Sequence, residues 1–211
     1  MSLMAKQTGS NFPPVEEGTF QAVCYSVVDL GTQFSEYFKS SAHKVLITWE
    51  IPELRIDIER DDKPVNLPRA ISKQYTLSLN DKSNLCKDLA AWRGKSFTAE
   101  ELEGFDVLTI AGANCLLGII HTQKDNKTYA NVATVTKLMK NMPKLKPESP
   151  IVTYSMDTDG LEFSDLIPEW VQNIIKKSEE FRGVKKDAIQ GEENPDWVGE
   201  DPEEPKDDLP F

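Results

Sequence analysis

Two histidines, His43 and His121, and three cysteines, Cys24, Cys86 and Cys115, are all that 211 residues hold of the two most versatile ligand-forming side chains. The cysteines are odd in number and lack metal-ligand spacing. They read as reduced, partly buried thiols of an intracellular protein rather than a disulfide frame or zinc site. Neither histidine begins an H-x-x-x-H or H-x-x-E pattern. No apolar run approaches the roughly 20 residues that a spanning helix needs, and MSLMAKQTGS lacks the apolar core of a signal peptide. The phosphate-cradling G-x-x-x-x-G-K-[ST], the G-x-G-x-x-G turn and the G-x-S-x-G elbow are all missing. No catalytic residue, cofactor or metal ligand is therefore assigned. The expectation is a soluble, cytoplasmic, non-enzymatic protein without a membrane partner.

Basic charge is also scarce, with 24 Lys+Arg against 35 Asp+Glu and a net charge of −11. Such a balance ordinarily argues against a nucleic-acid partner. Its distribution removes that objection. Residues 1–147 carry 18 Lys+Arg and 17 Asp+Glu, whereas residues 190–211 carry one and nine. The final stretch, GEENPDWVGEDPEEPKDDLPF, has four prolines and only Trp197 and Phe211 as aromatic residues. It has too little apolar surface to offset its ordering entropy, so 183–211 is expected to be disordered.

What is present is a series of strand patterns broken once by a helical one. After a leader (1–17), Thr19–Leu30 is β-branched and apolar enough for a first strand. Gly31–His43 reads as a loop or distorted hairpin tip. Lys44–Ile51 alternates, with Val45, Ile47, Trp49 and Ile51 on one face, and Pro52 is expected to end it. Glu53–Pro68 reads as a second excursion, and Ile71–Leu79 alternates again. The period then changes: Leu85, Cys86, Leu89 and Trp92 form one helical stripe, with Asn80 or Asp81 as cap and Gly94 as stop. Thr98-x-x-Glu101 is a capping box. Two further strands are expected over 114–121 and 128–136. Beyond a linker, 143–163, the apolar spacing over Ser164–Phe181 predicts an amphipathic helix packed on the body or docked on a partner.

The resulting order, β-β-β-α-β-β over 18–142, is that of the five-stranded oligonucleotide-binding (OB) barrel with a helix between strands 3 and 4. The expected class is mainly β, with the 164–182 helix and the acidic tail appended.

Single-strand binding requires aromatic faces for bases and cations for phosphates. The first excursion offers Phe34, Tyr37 and Phe38 beside Lys39 and Lys44. Lys124, Lys127 and Tyr129 mark the last hairpin, and Arg55, Arg69 and Lys73 could contact the sugar–phosphate chain. Trp49 and Tyr75 are further candidates, although both lie on apolar strand faces where core packing competes. The cluster Asp57, Glu59, Asp61 and Asp62, interleaved with Arg55, Arg60 and Lys63, reads as a solvated loop rather than a cation site.

The ending Asp207-Asp208-Leu209-Pro210-Phe211 resembles the terminal peptide of bacterial single-stranded-DNA-binding proteins. Phe211 can fill an apolar pocket, its carboxylate can meet a basic group, and the acids steer the approach. The run ISKQYTLSLNDKSNLCKDLAAWRGKSFT with TYANVATV is similar to phage- and prophage-encoded members of that family, over roughly residues 15–182. The resemblance implies sequence-tolerant coating of single strands in phage replication or recombination, with partner proteins of those processes recruited through the tail. A near-neutral body implies modest affinity per barrel, so tight coverage would need a homo-oligomer or cooperative coating. The alternative is an acidic adaptor or DNA mimic that binds replication or recombination proteins and never touches DNA. If the tail competes for the DNA groove, deleting residues 201–211 is expected to tighten oligonucleotide binding at low salt. Equal affinities of the two chains in an anisotropy titration would refute competition.

Overall fold

A computed structural model describes residues 13–60, 63–125 and 127–183. The tail motif, and Asp61 and Asp62 of the acidic cluster, therefore lie outside the described residues. Six strands form one sheet: β1 (Gly18–Ser35), β2 (Ser40–Arg60), β3 (Lys63–Thr76), β4 (Asn114–Lys124), β5 (Lys127–Lys137) and β6 (Val152–Tyr154). The order is β3-β2-β1-β4-β5, antiparallel throughout, with β6 added in parallel to β1. The chain is mainly β, as expected, but the sheet is not closed into a barrel. Among the described residues no ladder joins β3 to β5. Instead α1 (Asn84–Arg93) packs against both of these edge strands. Asp88 on α1 accepts from Lys73 Nζ at 2.8 Å and Tyr75 Oη at 2.7 Å, and Trp92 Nε1 donates to the Asn114 carbonyl at 2.8 Å. A helix thus spans the gap that a ladder would have closed.

Strand β1 is shared by three partners. Its first residues pair with β4 and its later ones with β2, so Val23 stands opposite both Asn114 and Glu50. The alternation in β2 is as expected on the inner face, where Val45, Ile47, Trp49 and Ile51 join one core with Leu85, Leu89, Leu117 and Val135. The outer face is covered as well. Leu46, Thr48 and Glu50 are also buried, because the segment after residue 147 lies across them. Val28, Leu30 and Leu46 form a second core there with Val152, Tyr154, Ile167, Val171 and Ile175.

Several boundaries move. Pro52 does not end β2; it falls in a bulge between Ile51 and Arg55, where a residue without an N–H interrupts no ladder bond. Glu53–Pro68 is consequently not a loop excursion. Arg55–Arg60 pair with Lys63–Pro68 as a continued ribbon, and β3 ends at Thr76 rather than Leu79. Residues 31–43 are mostly strand, with only 36–39 as the turn.

The cap of α1 is Ser83, whose Oγ accepts from Cys86 N, while Asn80 builds the preceding turn by accepting from Lys82 N. Gly94 stops the helix at φ 68°. Thr98 and Glu101 form the capping box of α2 (Ala99–Glu103), and a 3₁₀ turn covers Val107–Ile110.

The long helix expected over 164–181 is broken. A short α3 (Met156–Asp159) comes first, and α4 runs only Glu169–Ile175 with Pro168 at its N-cap. A separate helical turn occupies 179–183. The break is at buried Ser178, whose Oγ accepts from Phe181 N and so caps the following turn. No helix among the described residues is long and apolar enough to cross a membrane.

The outer cover is fastened by a buried carboxylate. Glu50 accepts from the backbone N–H groups of Glu148 at 2.8 Å and Ser149 at 3.0 Å. Farther along, the cover meets β1 at Gly31, whose φ is 67°. A Cβ there would lie 2.4 Å from Met156 Cε and 2.6 Å from Ser178 Cβ. Gly31→Ala is therefore expected to destabilise the fold by about 1–3 kcal/mol from the backbone conformation, with the clash added. Urea unfolding checks this, and an unchanged midpoint would contradict the close approach.

Candidate nucleic-acid interface

The β1–β2 hairpin projects the largest exposed aromatic group among the described residues. Tyr37 is 88% exposed, Phe38 73% and Phe34 54%. Tyr37 and Phe38 touch edge-to-face, with ring centroids 4.8 Å apart. Lys39, with φ 49°, completes the turn and pairs with Glu36 at 2.9 Å. That exposed ion pair, like most on a protein surface, contributes little, so it does little to hold the tip.

The hairpin's base is held much more firmly. Gln33 Nε2 donates to the carbonyls of Leu30 at 2.6 Å and Ile174 at 3.1 Å, and Thr32 N donates to Glu180 at 2.7 Å. Ser41 Oγ donates to Glu179. His43 Nε2 lies 2.6 Å from Asp29 Oδ1. Burial pushes the Glu180 carboxyl up, but the Thr32 hydroxyl and amide, with His43 nearby, bring it below the usual range. Rings that gain nothing from the core are thus carried on an anchored stem.

The remaining expected residues divide. Lys44 lies on the outer face of β2 and donates to Thr76 Oγ1 at 2.7 Å. Lys124 and Lys127 are exposed at the β4–β5 tip with Tyr129, 47% exposed, and neither lysine forms an ion pair among the described residues. By the register this tip lies at the opposite end of β1 from Tyr37. The two aromatic–basic loops are therefore not brought together. Arg55 is engaged by Asn66 and by Glu148, the latter at 2.5 Å, which draws the Glu148 carboxyl down. Arg69 donates to the Pro13 carbonyl.

Three assignments are corrected. Trp49 is 0% exposed, its ring 5.9 Å from that of Trp92, so no base can reach it. Tyr75 is 3% exposed and bound to Asp88. Burial, and then that carboxylate, push its phenol well above the usual range. Lys73 shares the same Asp88 and lies 5.0 Å from the Tyr75 ring. These side chains tie β3 to α1.

A second basic surface was not anticipated. Lys137, Lys140, Lys144 and Lys146 are exposed and form no ion pair among the described residues. The first three border a cavity of about 430 Å³ lined by Trp92, Ile110 and Met142. The sequence signal was available: KLMKNMPKLK holds four lysines and no acid. Beside it, Arg93 lies over the rings of Phe97 at 4.3 Å and Phe105 at 5.2 Å and pairs with Glu101.

Among the described residues no three His, Cys, Asp or Glu side chains are grouped to hold a metal ion. The thiols of Cys24 and Cys115 are buried, and burial pushes that of Cys24 up to about 12. No family model, curated protein or solved structure matches this chain.

Arg93 lines this cavity, and its partner Glu101, behind that wall, makes a pH prediction. The Thr98 amide first, then Arg93 and Lys95, hold the Glu101 carboxyl at about 2 against an ordinary 4.5. A lowered folded value contributes stability that is complete above the ordinary value and lost as pH falls towards the folded one. Glu101→Gln is expected to lower the urea midpoint at pH 7, with the gap to the parent chain narrowing below about pH 4.5. A gap that stays constant from pH 7 to 3 would show that the carboxylate charge is not what holds this wall.

Proposed function

We propose that the chain is a non-catalytic single-stranded-DNA-binding protein built on an open variant of the OB barrel. The strand order, with β1 shared between β2 and β4 and a helix between β3 and β4, supports that relation. The observation that carries the function is the aromatic hairpin tip. Burying a large apolar side chain stabilises by about 1.5–3 kcal/mol, and Phe34, Tyr37 and Phe38 forgo most of this. Exposed rings on an anchored stem suit stacking with unpaired bases, which a duplex keeps within its own stack.

The cations favour the same reading. Lys44 follows the tip along β2, and the lysines at 124, 127, 137, 140, 144 and 146, which have no ion-pair partner among the described residues, are placed to meet phosphates. Coating single strands in phage replication or recombination, with partner proteins recruited by Asp207–Phe211, extends the reading through the family resemblance.

Fluorescence anisotropy of labelled oligo-dT against the matching duplex, at two salt concentrations, tests it. Single strands are expected to bind preferentially. The logarithm of affinity should fall with that of salt, with a slope of about 0.7 per phosphate neutralised. Tyr37→Ala and Phe38→Ala should each weaken binding by about 1–3 kcal/mol. Binding to neither nucleic acid would sink this reading and favour the acidic adaptor.

A further inference from the structure

The outer face of β2 and β3 carries a niche of about 240 Å³ where the C-terminal cover meets the sheet. Tyr25, Leu166 and Trp170 wall it, and Ser26, Thr48 and Ser72 supply its hydroxyl groups. None of the residues lining it is charged. Trp170 belongs to the amphipathic stripe of α4, yet it is 52% exposed while its neighbours Val171 and Ile175 are buried.

The polar groups are open to a ligand. Thr48 Oγ1 and Ser72 Oγ lie 3.0 Å apart and bond each other, which leaves one hydroxyl hydrogen and further lone pairs available. The Tyr25 hydroxyl and the Trp170 indole N–H have no partner among the described residues.

This combination selects a ligand class. A phosphate or carboxylate would find no cation in the niche, and an aliphatic chain would leave the hydroxyls unmatched. A neutral, planar group with donors and acceptors along its edge satisfies both the indole face and the hydroxyl pair. The niche is also placed on a path. Lys44 lies on the same face of β2 four residues from Thr48, about 13 Å at the strand rise, on the side of the aromatic tip.

Resting on the single-strand reading above, we propose that this niche takes one nucleobase of the bound strand. Trp170 is its stacking face, and Thr48, Ser72 and Tyr25 meet the base edge. The cover segment is then part of the binding surface as well as of the fold.

The full chain carrying Trp197→Phe provides the test, because Trp49 and Trp92 are buried and Trp170 becomes the accessible reporter. Oligo-dT is expected to quench its fluorescence. Trp170→Ala should weaken binding by roughly 5- to 150-fold, the range of base–aromatic stacking, and Trp170→Phe should recover most of the loss. Thermal melting of each variant checks that the second core is intact. Oligonucleotide binding without quenching, and at unchanged affinity in Trp170→Ala, overturns the niche and leaves the single-strand reading standing. No oligonucleotide binding by the parent chain overturns both.

Discussion

The β1–β2 pair is apolar on both of its faces, and the rest of the architecture follows from that constraint. The inner face is satisfied by α1, β4 and β5. The outer face, at Val28, Leu30 and Leu46, cannot be left to water, and the chain returns over it as β6, α3 and α4. The return is fixed by a carboxylate in an otherwise costly position. A buried charge loses several kcal/mol of hydration, and Glu50 offsets this with two bonds from the amides at 148 and 149, each contributing about 1.5–3 kcal/mol. The buried carboxylate also specifies register, since among the described residues those two amides are its hydrogen-bond donors.

That cover decides which surfaces remain for a ligand. It seals the middle of β1 and β2, grips the base of the aromatic hairpin through Gln33, Thr32 and Ser41, and leaves Trp170 half out. Exposed aromatic groups therefore stand at the tip and beside β2–β3, with Lys44 between them. The β4–β5 tip belongs to another part of the surface. A strand engaging both would have to travel the length of β1.

Much of the framework was legible because it rests on local chemistry. Alternation placed Val45, Ile47, Trp49 and Ile51, the change of period located α1, and Gly94 and the Thr98–Glu101 box acted where their geometry predicts. What was not legible depended on residues far away in sequence. Pro52 reads as a stop unless a bulge absorbs it, and Thr48 and Glu50 read as a wet face until residues 148–171 are laid across them. Trp49 and Tyr75 have the right residue types for stacking. Their burial by α1 is a tertiary fact, and Asp88, which holds Lys73 and Tyr75, carries no signal of its own. Barrel closure failed for the same reason, since α1 occupies the space between β3 and β5. The lysine run at 137–146 is the exception. Its composition was visible, and its place beside an apolar cavity was not.

That run also shows why net charge is a poor guide to partners here. At physiological salt a surface charge is screened within about 8 Å, so a ligand at Lys137, Lys140 and Lys144 experiences those groups rather than the −11 of the whole chain. Acidic side chains are plentiful, yet these lysines have no ion-pair partner among the described residues, while Arg55, Lys73 and Arg93 are all engaged. The engaged cations serve the fold. The unengaged ones retain their full potential for an anion from outside, and the acidic excess beyond residue 190 can oppose them only where it comes within the screening length.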